Sequence, residues 1–190
     1  MIHGIDLSLT GTGLATFNDT GDLKSLSTFR PKSKCGIERL DEIARRVSDI
    51  VYESDLVVIE GLAFMSQTPS ALERTGLWYL VNHWFWQMHI ECVSVAPMAN
   101  KKFCTGSGKA EKQHMLMHVF KRWGIEAADD NQADAYSLGR VGLCLRGVAE
   151  PETQAQREVL MKLGWKPSPA KVFEEIKARS QRPLFGGPAR

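Results

Sequence analysis

The chain opens on an alternating run. Over residues 2–9 a strand is predicted in which His3, Ile5 and Leu7 share one face and Gly4, Asp6 and Ser8 the other, because side chains on a strand alternate with a period of two. Asp6 therefore points away from Ile5 and Leu7. Two more strands are predicted at 14–17 and 23–29, separated by the turn-forming run Asn18-Asp19-Thr20-Gly21-Asp22. The period then changes: Leu40, Ile43, Val47 and Ile50 recur every three or four residues and mark a helix over 37–52. Leu56-Val57-Val58-Ile59 is a continuous apolar run of strand length, the pattern of a strand covered on both faces, and it ends at Glu60-Gly61. A second helix, over 70–88, carries Leu77, Leu80, Val81, Trp84 and Met88, with Thr68 as N-cap and Pro69 in the first position. A strand over 90–95 is read as stopped by Pro97, with a basic, glycine-containing segment and a helix ending before Gly124 behind it. A long helix over 130–146 follows, and helical patches at 154–163 and 171–179 precede an end rich in proline and glycine. This order predicts an α/β fold, a sheet covered by helices, with one domain over 1–149 and a basic, partly helical extension over 150–190.

Composition narrows the class. At 190 residues with 43% hydrophobic and 24% charged, the chain has material for one core and is not a disordered one. No run of about 20 apolar residues is present, and a cytoplasmic location is expected. Cys35, Cys92, Cys104 and Cys144 are scattered without a CxxC pair, as reduced structural thiols would be, and the helical pair His114 and His118 has no HExxH or third ligand nearby. The net charge of +2 hides an asymmetry, since residues 151–190 hold eight basic and four acidic residues. Lys101, Lys102, Lys109, Lys112, Lys121 and Arg122 are opposed in their stretch by Glu111 alone, which suits either phosphates or a solvated face.

Three acids stand where secondary structure would bury them: Asp6 in a strand, Glu60 ending an apolar strand and Asp134 inside a helix. Asp130 joins them, one helical turn before Asp134, where two like charges repel unless a cation lies between. Each has an ordinary alternative: turn amides for Asp6, a basic partner for Glu60, a helix cap for Asp130. If the two strands are neighbours and the helix packs at the same end, the four converge, and hard oxygen ligands in that number suit Mg²⁺ or Mn²⁺.

Gly4-Ile5-Asp6-Leu7-Ser8-Leu9-Thr10-Gly11-Thr12-Gly13, Val58-Ile59-Glu60-Gly61 and Asp130-Asn131-Gln132-Ala133-Asp134-Ala135 resemble, in this order, the acidic motifs of the RuvC-type Holliday junction resolvases. The segment Lys101 to Lys112 resembles that family's basic motif, K-x4-G-x-G-x-A-x-K, and its wording is closest to the bacteriophage branch. The resemblance implies a ribonuclease H-like mixed sheet, three antiparallel strands followed by parallel ones. It implies that Asp6, Glu60 and Asp134, with Asp130 or its neighbour Asn131, hold two Mg²⁺ or Mn²⁺ ions. It also implies that Lys101 and Lys112 contact phosphates, with Lys102 and Lys109 in the same DNA-binding segment, and that Phe64 unstacks a base. A homodimer joined through the aromatic helix would cut four-way junctions and leave 5′-phosphate ends. Two further readings stay open at this point, a related flap or branched-DNA nuclease and a junction-binding module without chemistry. The opening motif also resembles the phosphate loop of actin-like and sugar kinase ATPases, but those need two such domains, and Gly106-Ser107-Gly108-Lys109 does not complete a P-loop.

Overall fold

In the computed structural model, β1 (Ile2–Asp6), β2 (Thr12–Phe17) and β3 (Leu23–Phe29) form an antiparallel meander. The structure describes residues 1–52, 55–62 and 68–166. β4 (Leu56–Glu60) pairs in parallel with β1, and β5 (Glu91–Val95) in parallel with β4, so the sheet of the described residues runs β3-β2-β1-β4-β5. This is the predicted mixed sheet. Its helices are α1 (Gly36–Ser48), α2 (Pro69–Gln87), α3 (Pro97–Thr105), α4 (Lys112–Trp123), α5 (Asp130–Leu145) and α6 (Gln154–Lys162).

The two faces of the sheet bury separate cores. Ile5, Leu14, Val57 and Ile59 meet Ile43 and Val47 of α1 and Leu77, Val81 and Phe85 of α2. Ile2, Phe17, Leu56 and Val58 meet α5 on the other side, together with Phe103 of α3 and Met115 of α4. Alternate residues of β4 thus serve opposite cores, which is why its sequence is apolar throughout.

α5 lies against β1 at backbone distance. A Cβ on Gly4 would stand 2.0 Å from the Ala135 carbonyl oxygen, and one on Gly139 would stand 2.2 Å from the Phe17 ring. Glycine at both positions lets the helix sit directly on the strand. The N-terminus of α5 is fixed by Asp129, whose carboxylate accepts from the Gln132 amide at 3.0 Å, from the Thr28 hydroxyl at 2.7 Å and from Arg30 at 2.8 Å. The capping role left open for Asp130 therefore belongs to its neighbour.

β5 ends at Val95, before Pro97 as expected, and Pro97 also opens a helix. It takes the first position of α3, where its fixed φ suits a helix and its missing N–H costs nothing, and the helix stops at Gly106 with φ at 90°. Lys101 and Lys102 are consequently helical rather than in a loop. In the segment expected as an extension, α6 is fastened to the body: Val159 and Leu160 are buried in the α5-side core, and Glu152 accepts from Trp123 Nε1 at 3.1 Å. The patch expected at 171–179 lies outside the described residues. Near the start of β1, buried His3 donates from Nε2 to Asp55 at 2.8 Å and accepts at Nδ1 from the Thr16 hydroxyl at 3.1 Å, the pattern of a neutral imidazole.

Candidate active site

Because Ile5 pairs with Ile59, Asp6 and Glu60 leave the carboxyl ends of adjacent parallel strands side by side. Both follow the residues that face α5, Gly4 and Val58, by two positions, so both belong to that face. Asp130 begins α5 and Asp134 stands one turn further along it. All four acids line one cleft of about 310 Å³. Asn131 lines it too, so the structure brings both candidates for the fourth ligand to the same place.

Two cations face these acids. Lys101 reaches the cleft from α3, one turn after Pro97, and Arg74 reaches it from α2. Burial and the negative charge of Asp134 push the Glu60 carboxyl up to about 7, against the opposing pull of Lys101, Arg74 and a hydrogen bond with Asn100. Asn100, fully buried, also donates from Nδ2 to the Asp134 carbonyl at 3.3 Å, so one amide ties the end of β4 to α5. Trp78 anchors the same strand end from the other side, donating from Nε1 to the Glu60 carbonyl at 3.0 Å.

The donor set is of the kind a divalent cation takes: hard carboxylate oxygens from three elements border one cleft. Among the described residues no group of three or more acidic, histidine or cysteine side chains stands close enough together to hold a metal ion as it is. The carboxylates border the cleft rather than converge on one point.

The remaining predicted residues separate. Lys102 and Lys109 line a different groove, about 100° round α3 from the cleft, where Lys102 pairs with Glu158 at 2.6 Å. Lys112 opens α4, and its side chain lies outside the described set, as does Phe64 altogether. Arg74 and Asn100 were not legible in the sequence. Arg74 adjoins Glu73 in the chain, and Glu73 pairs with Arg39.

The architecture is ribonuclease H-like. No protein-family model and no curated protein sequence matches the chain. Among solved structures, RuvC from Thermus thermophilus in complex with a Holliday junction substrate superposes with a TM-score of 0.60 at 20% identity, covering 73% of this chain and 89% of that one. A second Thermus thermophilus RuvC structure gives 0.56 at 21% identity over 79% and 98%. A fowlpox virus resolvase with Holliday junction DNA gives 0.49 at 16% identity over 74% and 96%. At these identities what the chain shares with RuvC is its fold.

Proposed function

We propose that the chain is a structure-selective DNA endonuclease that resolves four-way junctions by metal-dependent phosphodiester hydrolysis. The observation that carries this is the cleft itself: four carboxylates at strand and helix ends, faced by Lys101 and Arg74. A polyanion-binding protein without chemistry gains nothing from acids at its DNA surface, and the shared fold with a RuvC solved on a junction substrate supports the substrate class.

Asp6, Glu60, Asp130 and Asp134 would hold the ions, Mg²⁺ or Mn²⁺. Bound there, two divalent ions would supply an activated water and neutralise charge at the phosphate, and the resemblance to the resolvases supports 5′-phosphate products. Lys101 and Arg74 contribute cations that orient the scissile phosphate and offset its charge. Glu60 must give up its proton to act as a ligand, and Asn100 keeps its carboxyl aimed into the cleft. We assign the nuclease unit to 1–149 and propose a homodimer that places two such clefts on one junction. The contact would use α2, on which Leu72, Tyr79 and Trp86, seven residues apart, are exposed on the side opposite buried Leu77, Val81 and Phe85.

The test is cleavage of an end-labelled four-way junction and of linear duplex with the same arm sequences, in Mg²⁺ or chelator, by the parent, Asp6→Asn and Asp134→Asn. Metal-dependent incision of the junction alone, lost in both variants, is expected. Binding without incision, or incision that survives both substitutions, overturns the proposal.

A further inference from the structure

Helix α3 presents cations to two places. Pro97 and Lys101 face the acidic cleft, whereas Met98 and Lys102, each one residue on and about 100° round the helix, face α6. The groove on that second side encloses about 650 Å³. Met98, Ala99 and Val159 form its apolar part, the turn at Gly106–Gly108 closes one end, and Lys102, Lys109 and Lys162 supply its charge. Against these three ammonium groups stands one carboxylate, Glu158.

Glu158 holds Lys102 at 2.6 Å and also accepts from Gln154 at 3.3 Å. It occupies the position beside Lys102 that a phosphate oxygen would take. Both partners are partly open to solvent, 36% for Lys102 and 42% for Glu158, so exchanging one anion for another costs little. The groove and the acidic cleft meet along one short helix, so a backbone bound at Lys101 would have the groove as its neighbour.

We infer that this groove is a second nucleic-acid contact, taking the sugar-phosphate backbone of a duplex arm that leaves the cleft, and that Glu158 is a built-in competitor that this arm displaces from Lys102. The inference rests on the reading of the protein as a junction nuclease and adds to its expected DNA-binding segment the α6 residues Glu158 and Lys162. Its consequence is selectivity: a lone duplex must displace Glu158 with few other contacts, while a junction held at the cleft does so with many.

The experiment measures binding of the full chain to fluorescent four-way junction and to linear duplex, in chelator, over a range of salt, for the parent, Glu158→Gln and Lys162→Gln. Glu158→Gln is expected to bind duplex about three- to tenfold more tightly and to steepen the salt dependence by about one phosphate contact. Lys162→Gln is expected to bind both DNAs more weakly and to flatten that dependence by about one. Unchanged or weaker binding by a folded Glu158→Gln, or unchanged binding by Lys162→Gln, overturns the inference. If Glu158→Gln does not fold, Lys162→Gln, at the exposed end of α6, decides alone. A parent chain that neither binds nor cuts any branched DNA overturns the nuclease reading instead, so the two failures are distinct.

Discussion

Glu60 sits between two demands. As part of a strand end it is half-buried, and as part of an acidic cleft it is held close to Asp134; both favour its protonated form and bring its carboxyl to about 7. In the unfolded chain the same group titrates at its ordinary value of 4.5. Between the two values the folded chain keeps a proton that the unfolded chain has lost. The stabilisation is therefore complete below the unfolded value and disappears as pH rises through 7, a swing on the order of 3 kcal/mol. His3 works in the opposite direction, because burial holds its imidazole below 6.5. Burial also pushes the Asp55 carboxyl upward, but hydrogen bonds from the amino terminus, the Tyr52 amide and His3 outweigh it and keep Asp55 low. Stability from this pair is lost as pH falls. Thermal melting in chelator from pH 5 to pH 8 separates the two effects: the acid limb should persist in Glu60→Gln, while the alkaline decline should vanish, leaving this variant more stable than the parent at pH 8 and inactive as a nuclease. An alkaline decline of equal size in both proteins would mean that Glu60 is not the group responsible.

At the scale of elements, what positions the acids is the approach of α5 to β1. Gly4→Ala places a methyl group 2.0 Å from the Ala135 carbonyl oxygen, a backbone atom that cannot turn aside, so the helix must lift off the strand. The expected loss is about 3 kcal/mol or more by chemical denaturation, with cleavage lost even where the variant folds, since Asp130 and Asp134 ride on the displaced helix. Gly4, two positions before Asp6, was part of the motif visible in the sequence. The strands and most helices were visible as well, because their apolar residues recur with the periods that sheet and helix impose. Three things were not. Pro97 was read only as the stop of the strand before it, which does end at Val95; that it also opens α3 depends on the residues after it, up to Gly106. Asp129 and Asp130 are adjacent, and spacing alone does not say which of them caps and which faces the cleft. Arg74 and Asn100 reach Glu60 because α2 and α3 pass beside the end of β4, a relation between elements that no local pattern encodes.

For the whole molecule, the segment after Ala149 matters to stability before it matters to DNA. A chain ending at Ala149 lacks Val159 and Leu160 from the core and Glu152 from Trp123, and is expected to lose several kcal/mol, whereas one ending at Lys166 keeps every described contact and should melt close to the full chain. Under the proposed junction-resolving function, the number of subunits would follow from the shape of the substrate. A four-way junction is resolved by two incisions on opposed strands, and one cleft makes one incision. α2 is apolar on both sides, its inner line of Leu77, Val81 and Phe85 buried and its outer line of Leu72, Tyr79 and Trp86 open, with Trp86 73% exposed and stacked on His83. A solvated helix has no use for such an outer line, and a second copy of the same helix would cover it. Sedimentation of the parent is expected to give a dimer at micromolar concentration. Tyr79→Lys with Trp86→Lys, which touch no residue of the cleft, should give a monomer that melts near the parent temperature. That monomer should still nick junctions in Mg²⁺, but its second incision should no longer be coupled to the first, so nicked intermediates accumulate on a supercoiled cruciform. A folded double variant that sediments as a dimer would exclude this face as the contact. A monomer that linearises the cruciform as fast as the parent would show that paired incision does not need two joined copies.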